Sequence, residues 1–159
     1  MNLHEFQAKE LLSRFGVRVP RGRITDNAAD AERIAQRLSF DRYAVKAQVQ
    51  ASDRFANGGV RFAASPAGVR ETVGLLLATA FTRAGGPVGA ERVRWVLIEE
   101  ALAPMQLLYA AVYLDPARGA LSMLASAAGG SAIETRSTAD PGMISRVPIT
   151  IAGDRAIAD

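Results

Sequence analysis

Short apolar runs of strand length follow one another through most of this chain, too closely spaced for a crossover helix to fit between each pair. Residues 42–50 and 58–63 are separated only by the loop 51–57, and the runs 92–99, 106–114 and 120–126 succeed one another with no amphipathic stretch between them. Parallel neighbours need a long crossover, whereas antiparallel ones need only a turn. The pattern therefore predicts hairpins within a mixed α/β plan and excludes a regular βαβ array.

Helical segments punctuate this plan. Asn2 is placed to cap a first helix with Glu5 completing a capping box, Leu3, Phe6, Leu11 and Phe15 form its apolar stripe, and Gly16 ends it. Residues 17–20 read as a short extended segment before a second helix at 28–38, with Asp26 or Asn27 as cap and Ala31, Ile34, Ala35 and Leu38 on the buried face. Ser65-Pro66 opens a third helix that carries Val69, Val73, Leu76, Leu77 and Phe81 and breaks at Gly85-Gly86-Pro87. Phe81 and Trp95 are expected in the core. Beyond Gly129-Gly130-Ser131 the pattern weakens to one apolar run at 147–152.

Composition removes several classes of function. The absence of cysteine and the single histidine, His4, exclude a disulfide framework and a zinc site; His4 is expected at the surface or in a cap. The start carries no basic region followed by an apolar stretch and a cleavage site, and no apolar run reaches the length of a membrane span, so a cytoplasmic protein without membrane contact is expected. The net charge of +3 comes from arginines scattered along the chain, and aromatics are only 6% of residues. Neither a basic run nor a stacking platform is formed, and nucleic acid is not an expected partner.

Against seventeen arginines stand two lysines, and Lys46 lies inside the apolar run Tyr43-Ala44-Val45-Lys46-Ala47-Gln48-Val49. The loop that follows holds Ser52, Asp53, Arg54 and the pair Gly58-Gly59. A lone ammonium on a strand before a glycine-bearing loop suits a bound anion, phosphate first. The alternative is a surface lysine that guards an edge strand against aggregation.

The block Met1-Asn2-Leu3-His4-Glu5-Phe6-Gln7-Ala8-Lys9-Glu10-Leu11-Leu12 closely resembles the opening of the succinyl-CoA synthetase β subunit and its malate-CoA ligase relatives. The resemblance continues in order through Val45-Lys46-Ala47-Gln48-Val49, Gly58-Gly59-Val60, Leu97-Ile98-Glu99-Glu100-Ala101, Ala125-Ser126, Gly129-Gly130 and Ile133-Glu134. It implies an α+β fold of the ATP-grasp type, in which two lobes clasp a nucleotide. On this resemblance residues 1–19 form an N-terminal helix packing on the second lobe, 20–100 the small lobe and 101–159 part of the second lobe.

The resemblance also implies ATP or ADP as ligand. Lys46, Arg54, Gly58 and Gly59 are assigned to the phosphates, and Glu99, Glu100 and Leu102 to a hinge that meets the base. Departures qualify it: the family loop His-Ala-Gly-Gly-Arg-Gly-Lys reads here Gln50-Ala51-Ser52-Asp53-Arg54-Phe55-Ala56. Asp53 sets a carboxylate near the expected phosphates, Leu107 stands where the family has its ribose-binding glutamate, and Ala128 and Ala132 replace acids. The family's magnesium-binding Asn and Asp lie beyond the matched region. Metal ligands are thus not expected in the chain, and Mg2+ enters only with ligands from the nucleotide or another chain.

Three readings follow: a nucleotide-binding module without ligase activity alone; the N-terminal component of a split ADP-forming carboxylate-CoA ligase; or a paralogue kept for protein association. The partners implied are a nucleotide, a CoA-ligase α-like subunit or a chain supplying the second half of the grasp, or another copy of this chain.

Overall fold

The computed structural model describes residues 2–51, 54–82, 90–116, 119–130 and 133–149, with the side chains of Glu134 and Thr135 excepted. The chain divides into two compact units, Met1–Leu102 and Ala103–Asp159. The sequence reading sets residues 1–19 apart, but the N-terminal helix is grouped with the first unit.

In the first unit, α1 (Glu5–Arg14) precedes β1 (Gly22–Thr25), α2 (Ala28–Leu38), β2 (Tyr43–Ala47), β3 (Val60–Ala63), α3 (Pro66–Leu77), β4 (Ala80–Thr82), β5 (Ala90–Arg92) and β6 (Val96–Glu100). Strands β1, β6, β2 and β3 form, in that order, one sheet whose pairings are all antiparallel. Lys46 therefore sits on an interior strand, and the edge-guard alternative falls.

Side chains alternate between the faces of a strand, and here the two faces have opposite fates. Tyr43, Val45, Ala47, Val96 and Ile98 join Ala31, Ala35, Val69, Val73 and Leu76 in one buried cluster under α2 and α3. The other face, in register, carries Gly22 and Ile24 of β1, Leu97 and Glu99 of β6, and Ala44 and Lys46 of β2. The helices that cover the first face start where their caps dictate. Asn27 Oδ1 accepts from the N–H groups of Ala29 and Asp30, and Ser65 Oγ accepts from Gly68 N–H with Pro66 at the first helical turn. Tyr43 locks α2 to the sheet: its buried hydroxyl donates to Ala35 O at 2.8 Å and accepts from Phe40 N at 3.1 Å.

Several expectations shift. The cap of α1 is His4, whose N–H donates to Gln7 Oε1, and Glu5 is used elsewhere. No residue of α1 is buried, and Leu11 and Phe15 of the expected stripe are exposed. The first strand is Gly22–Thr25 instead of 17–20: the Val17 N–H is spent on Leu12 O at the end of α1, and Pro20 has no N–H to give a ladder. α3 ends at Leu77, and Phe81 is buried from β4, in a hairpin with β5 that the sequence reading merged into its neighbours. Trp95 is 42% exposed and packs on Phe6 of α1 at 5.5 Å between ring centroids, so it is not a core residue. The helix break expected at 85–87 lies outside the described residues.

The second unit contains β7 (Tyr109–Asp115), β8 (Ala120–Ser126), α4 (Ile133–Ala139), a 3-10 turn (Pro141–Met143) and β9 (Ser145–Pro148). The three strands form an antiparallel sheet in chain order. α4 and β9 lie where periodicity faded, since a short helix and a four-residue strand leave little pattern to read.

Candidate functional site

The polar centre of the first unit grows out of the sheet face that α2 and α3 leave uncovered. Lys46 pairs in register with Leu97, so Glu99, two residues further along β6, is its diagonal neighbour. Lys46 Nζ lies 2.5 Å from Glu99 Oε1. α1 lies across this face, and its Glu5 and Lys9, one helical turn apart, reach down to the same pair.

The result is a closed cycle of charge. Lys46 Nζ is 2.9 Å from Glu5 Oε1, Lys9 Nζ is 2.8 Å from the same oxygen, and Lys9 Nζ is 2.5 Å from Glu99 Oε2. Both lysines of the chain thus bridge the same two carboxylates. Arg54 extends the cycle: its guanidinium donates to Glu5 Oε2 at 3.0 Å and to Ala47 O at 2.8 Å. Three cations therefore converge on the Glu5 carboxylate.

Burial sets the energetics. The Glu99 side chain is only 3% exposed, and a carboxylate that dry is stable only with cations in contact. For Glu5, burial works against ionisation, but the hydrogen bonds and attraction of Lys9 and Lys46 outweigh it and hold the carboxyl at about 2, below the ordinary 4.5. Burial likewise works to lower the Lys46 value, yet contact with Glu99 and Glu5 raises it above the ordinary lysine range. Lys46 is a fixed positive charge at any physiological pH.

The loop after β2 is tied back onto this centre. Gly59 N–H donates to Arg54 O at 2.6 Å, and Gly59 O accepts from Ala47 N–H at 2.8 Å. A Cβ at Gly59 would lie 3.0 Å from Arg54 O and 3.1 Å from the Phe81 ring, and Gly58 has φ of +74°, so this pair is required for the loop to close. Leu3, His4, Glu5, Val49, Ala51 and Arg54 lie on a cleft of about 400 Å³ beside the cycle. A larger cleft of about 490 Å³ is lined by Phe6, Ile24 and Leu97 and shares Lys9 and Glu99 with the cycle.

The expected hinge continues β6. The N–H groups of Glu100 and Ala101 donate to Arg21 O and Arg42 O, each at 3.0 Å, and Arg21 lies 3.7 Å from the Glu100 carboxylate. Leu102 is 60% exposed at the end of the unit. Lys46, Arg54, Gly58, Gly59 and Glu99 are thus brought together, while Glu100 ends β6 and Leu102 lies two residues past it. Glu99 enters this cluster as a buried counter-ion.

Sequence reasoning missed Lys9 and gave Glu5 to a cap. Their four-residue spacing was the available signal. Gly22 was missed too: a Cβ there would lie 2.7 Å from Glu99 Cβ, so only glycine lets β1 pass beside that side chain. Ser52 and Asp53, with the expected repulsion of phosphate by Asp53, and Ala132 lie outside the described residues. Phe55 is 58% and Leu107 53% exposed. Among the described residues, no group of three or more His, Asp or Glu is arranged to hold a metal ion.

This chain belongs to the ATP-grasp domain family, whose model matches residues 2–156. It is related to the β subunit of succinate–CoA ligase [ADP-forming]. The subunit from Koribacter versatilis is 39% identical over 148 residues, covering 91% of this chain, and that from Anaeromyxobacter dehalogenans is 41% identical over 150, covering 92%. The chain spans 38% of the length of each of these relatives. Among solved structures, PH1788 from Pyrococcus horikoshii matches with a TM-score of 0.67 at 17% identity, over 94% of this chain and 60% of that one. The dinucleotide-forming acetyl-coenzyme A synthetase 1 of Ca. Korarchaeum cryptofilum matches with a TM-score of 0.58 at 23% identity, over 80% and 53%. At those identities the structural matches speak for the fold, which is the expected α+β ATP-grasp.

Proposed function

We propose that the chain binds a nucleoside di- or triphosphate through Lys46 and Arg54, without ligase activity of its own. The observation that carries this reading is the convergence of both side chains on one carboxylate. Lys46 from β2 and Arg54 from the following loop hold the two oxygens of Glu5 at 2.9 and 3.0 Å, which is how cations meet an anionic oxygen group. A phosphate at the same position receives the same donors, and Gly58-Gly59 keep the loop against the strand. The exposed Leu102, past the committed N–H groups of Glu100 and Ala101, is where backbone meets the edge of the base.

Phosphoryl transfer needs metal ions to neutralise the transferred group. Mg2+ is assigned to ligands on the nucleotide or on another chain. A second polypeptide supplying the rest of the length seen in the relatives, together with an α-like subunit, would make the chain one component of an ADP-forming carboxylate-CoA ligase. The protein is assigned to the cytoplasm, where nucleotide is abundant; no described helix is long and apolar enough to cross a membrane.

Calorimetry with ATP and ADP, with and without Mg2+, tests the reading. Binding to the parent is expected, and Lys46→Ala weakens it by about 1.5–3 kcal/mol, the range for a hydrogen bond to a charged group. Equal affinity of the two proteins refutes the site.

A further inference from the structure

The nucleotide reading leaves unexplained why α1 delivers an acid and a base to the phosphate cations. Glu5 is not a bystander there. Its carboxylate is contacted by Lys9 at 2.8 Å, Lys46 at 2.9 Å and Arg54 at 3.0 Å, and its side chain is 20% exposed. A phosphate oxygen group that takes Lys46 and Arg54 needs the space Glu5 fills. Both cannot be held by those donors at once.

Lys9 changes the account further. It contacts the same two carboxylates as Lys46, so the centre holds three cations against two acids, and withdrawal of Glu5 leaves the two lysines sharing Glu99 and takes from Arg54 its carboxylate. That surplus suits a polyphosphate. What holds Glu5 in place is modest: α1 has no buried residue, and its aromatic anchor is Phe6 against the half-exposed Trp95. Beside that ring contact and two neutral hydrogen bonds, Phe6 N–H to Gln48 Oε1 and Gln50 Nε2 to Leu3 O, each at 3.2 Å, the segment is attached by the charges that an incoming anion would compete for.

Resting on the nucleotide reading, we propose that Lys9, Lys46 and Arg54 form one three-cation receptor for the phosphate chain, with Glu5 as its resting occupant. Polyphosphate binds by displacing the Glu5 carboxylate. Lys9 then becomes a phosphate ligand, and α1 acts as a strap that moves when the site is filled. The apparent affinity of the parent is reduced by the fraction of molecules in which Glu5 occupies the site.

The test uses the full chain with ATP and with inorganic tripolyphosphate, which has no base or sugar. Affinity is read by calorimetry and strap movement by the emission of Trp95, the only tryptophan and a neighbour of α1. Glu5→Gln is expected to tighten both ligands by roughly tenfold or more, since it removes a charge-assisted competitor. Lys9→Gln added to Glu5→Gln should give back at least about threefold of that gain, and Trp95 emission should change when the parent binds. Should Glu5→Gln not fold, Glu5→Asp withdraws the carboxylate by one methylene and should give a smaller gain of the same sign. Affinity unchanged or lowered by the Glu5 substitutions, with binding still sensitive to Lys46→Ala, overturns this inference and leaves the nucleotide site standing. A tightened Glu5→Gln without any Trp95 response in the parent overturns the strap. Binding insensitive to Lys46→Ala, or none to parent or variants, overturns both readings.

Discussion

Replacing Lys9 and Lys46 by methionine, singly and together, measures whether the charge cycle acts as one unit. Methionine keeps most of the apolar stem and removes the charge. In either single variant Glu99, 3% exposed, still has one ammonium 2.5 Å away, and Glu5 keeps Arg54 and the other lysine. Each single change then costs about 1–1.5 kcal/mol, less than the about 1.5–3 kcal/mol of a charged hydrogen bond lost outright, because the surviving lysine still serves both acids. With both lysines gone, Glu99 is a buried carboxylate without a cation, and the cost rises to about 3–5 kcal/mol. The joint loss should therefore exceed the sum of the singles by about 1.5 kcal/mol at the midpoint of these ranges, the sign of neighbours sharing partners. Urea unfolding at neutral pH, followed by Trp95 emission, reads the unit that contains the cycle. Additivity within about 0.5 kcal/mol would show that the two lysines act independently and that the cycle, as drawn, is not an energetic unit.

Acid should expose the Glu5 contribution. Its folded value of about 2 lies below the ordinary 4.5, so the stabilisation is complete above about pH 4.5 and is lost as pH falls towards 2. After allowance for solvent screening this amounts to about 2 kcal/mol, and the parent should lose that much more than Glu5→Gln between those limits in urea titrations. The pure chain should form no succinyl-CoA or malyl-CoA from acid, CoA and ATP; product above a control lacking the chain would contradict the assignment. Because Leu107 stands where the family resemblance puts a ribose-binding glutamate, ATP and its 2′- and 3′-deoxy analogues should bind alike in a calorimetric titration.

The long helices were legible because their signals are local. Asn27 and Ser65-Pro66 mark two helix starts through bonds within a few residues, and Val69, Val73 and Leu76 repeat at the helical period wherever the helix packs. β2 and β3 were legible as apolar runs around a glycine-bearing loop. The pieces that escaped are short or depend on distant chain. The β4–β5 hairpin and β9 each involve strands of only three or four residues, too few to show alternation.

The site divides along the same line. Lys46, Arg54 and Gly58-Gly59 stand out in the sequence because an ammonium in an apolar strand and paired glycines in a loop each demand a local explanation. Glu5 and Lys9 do not stand out, because an acid and a base four apart on an amphipathic helix usually face water. Their role exists only because α1 crosses the sheet face at β2 and β6, bringing residues 41 and 90 positions apart within hydrogen-bond reach. Sequence alone determined the family, the order of most elements and the cation on β2. Tertiary structure decided that β2 is interior, that Glu99 is a buried counter-ion, and that Glu5 holds the cations assigned to phosphate. Charge acts through space, and in a buried centre its partners are set by which surfaces the fold presses together.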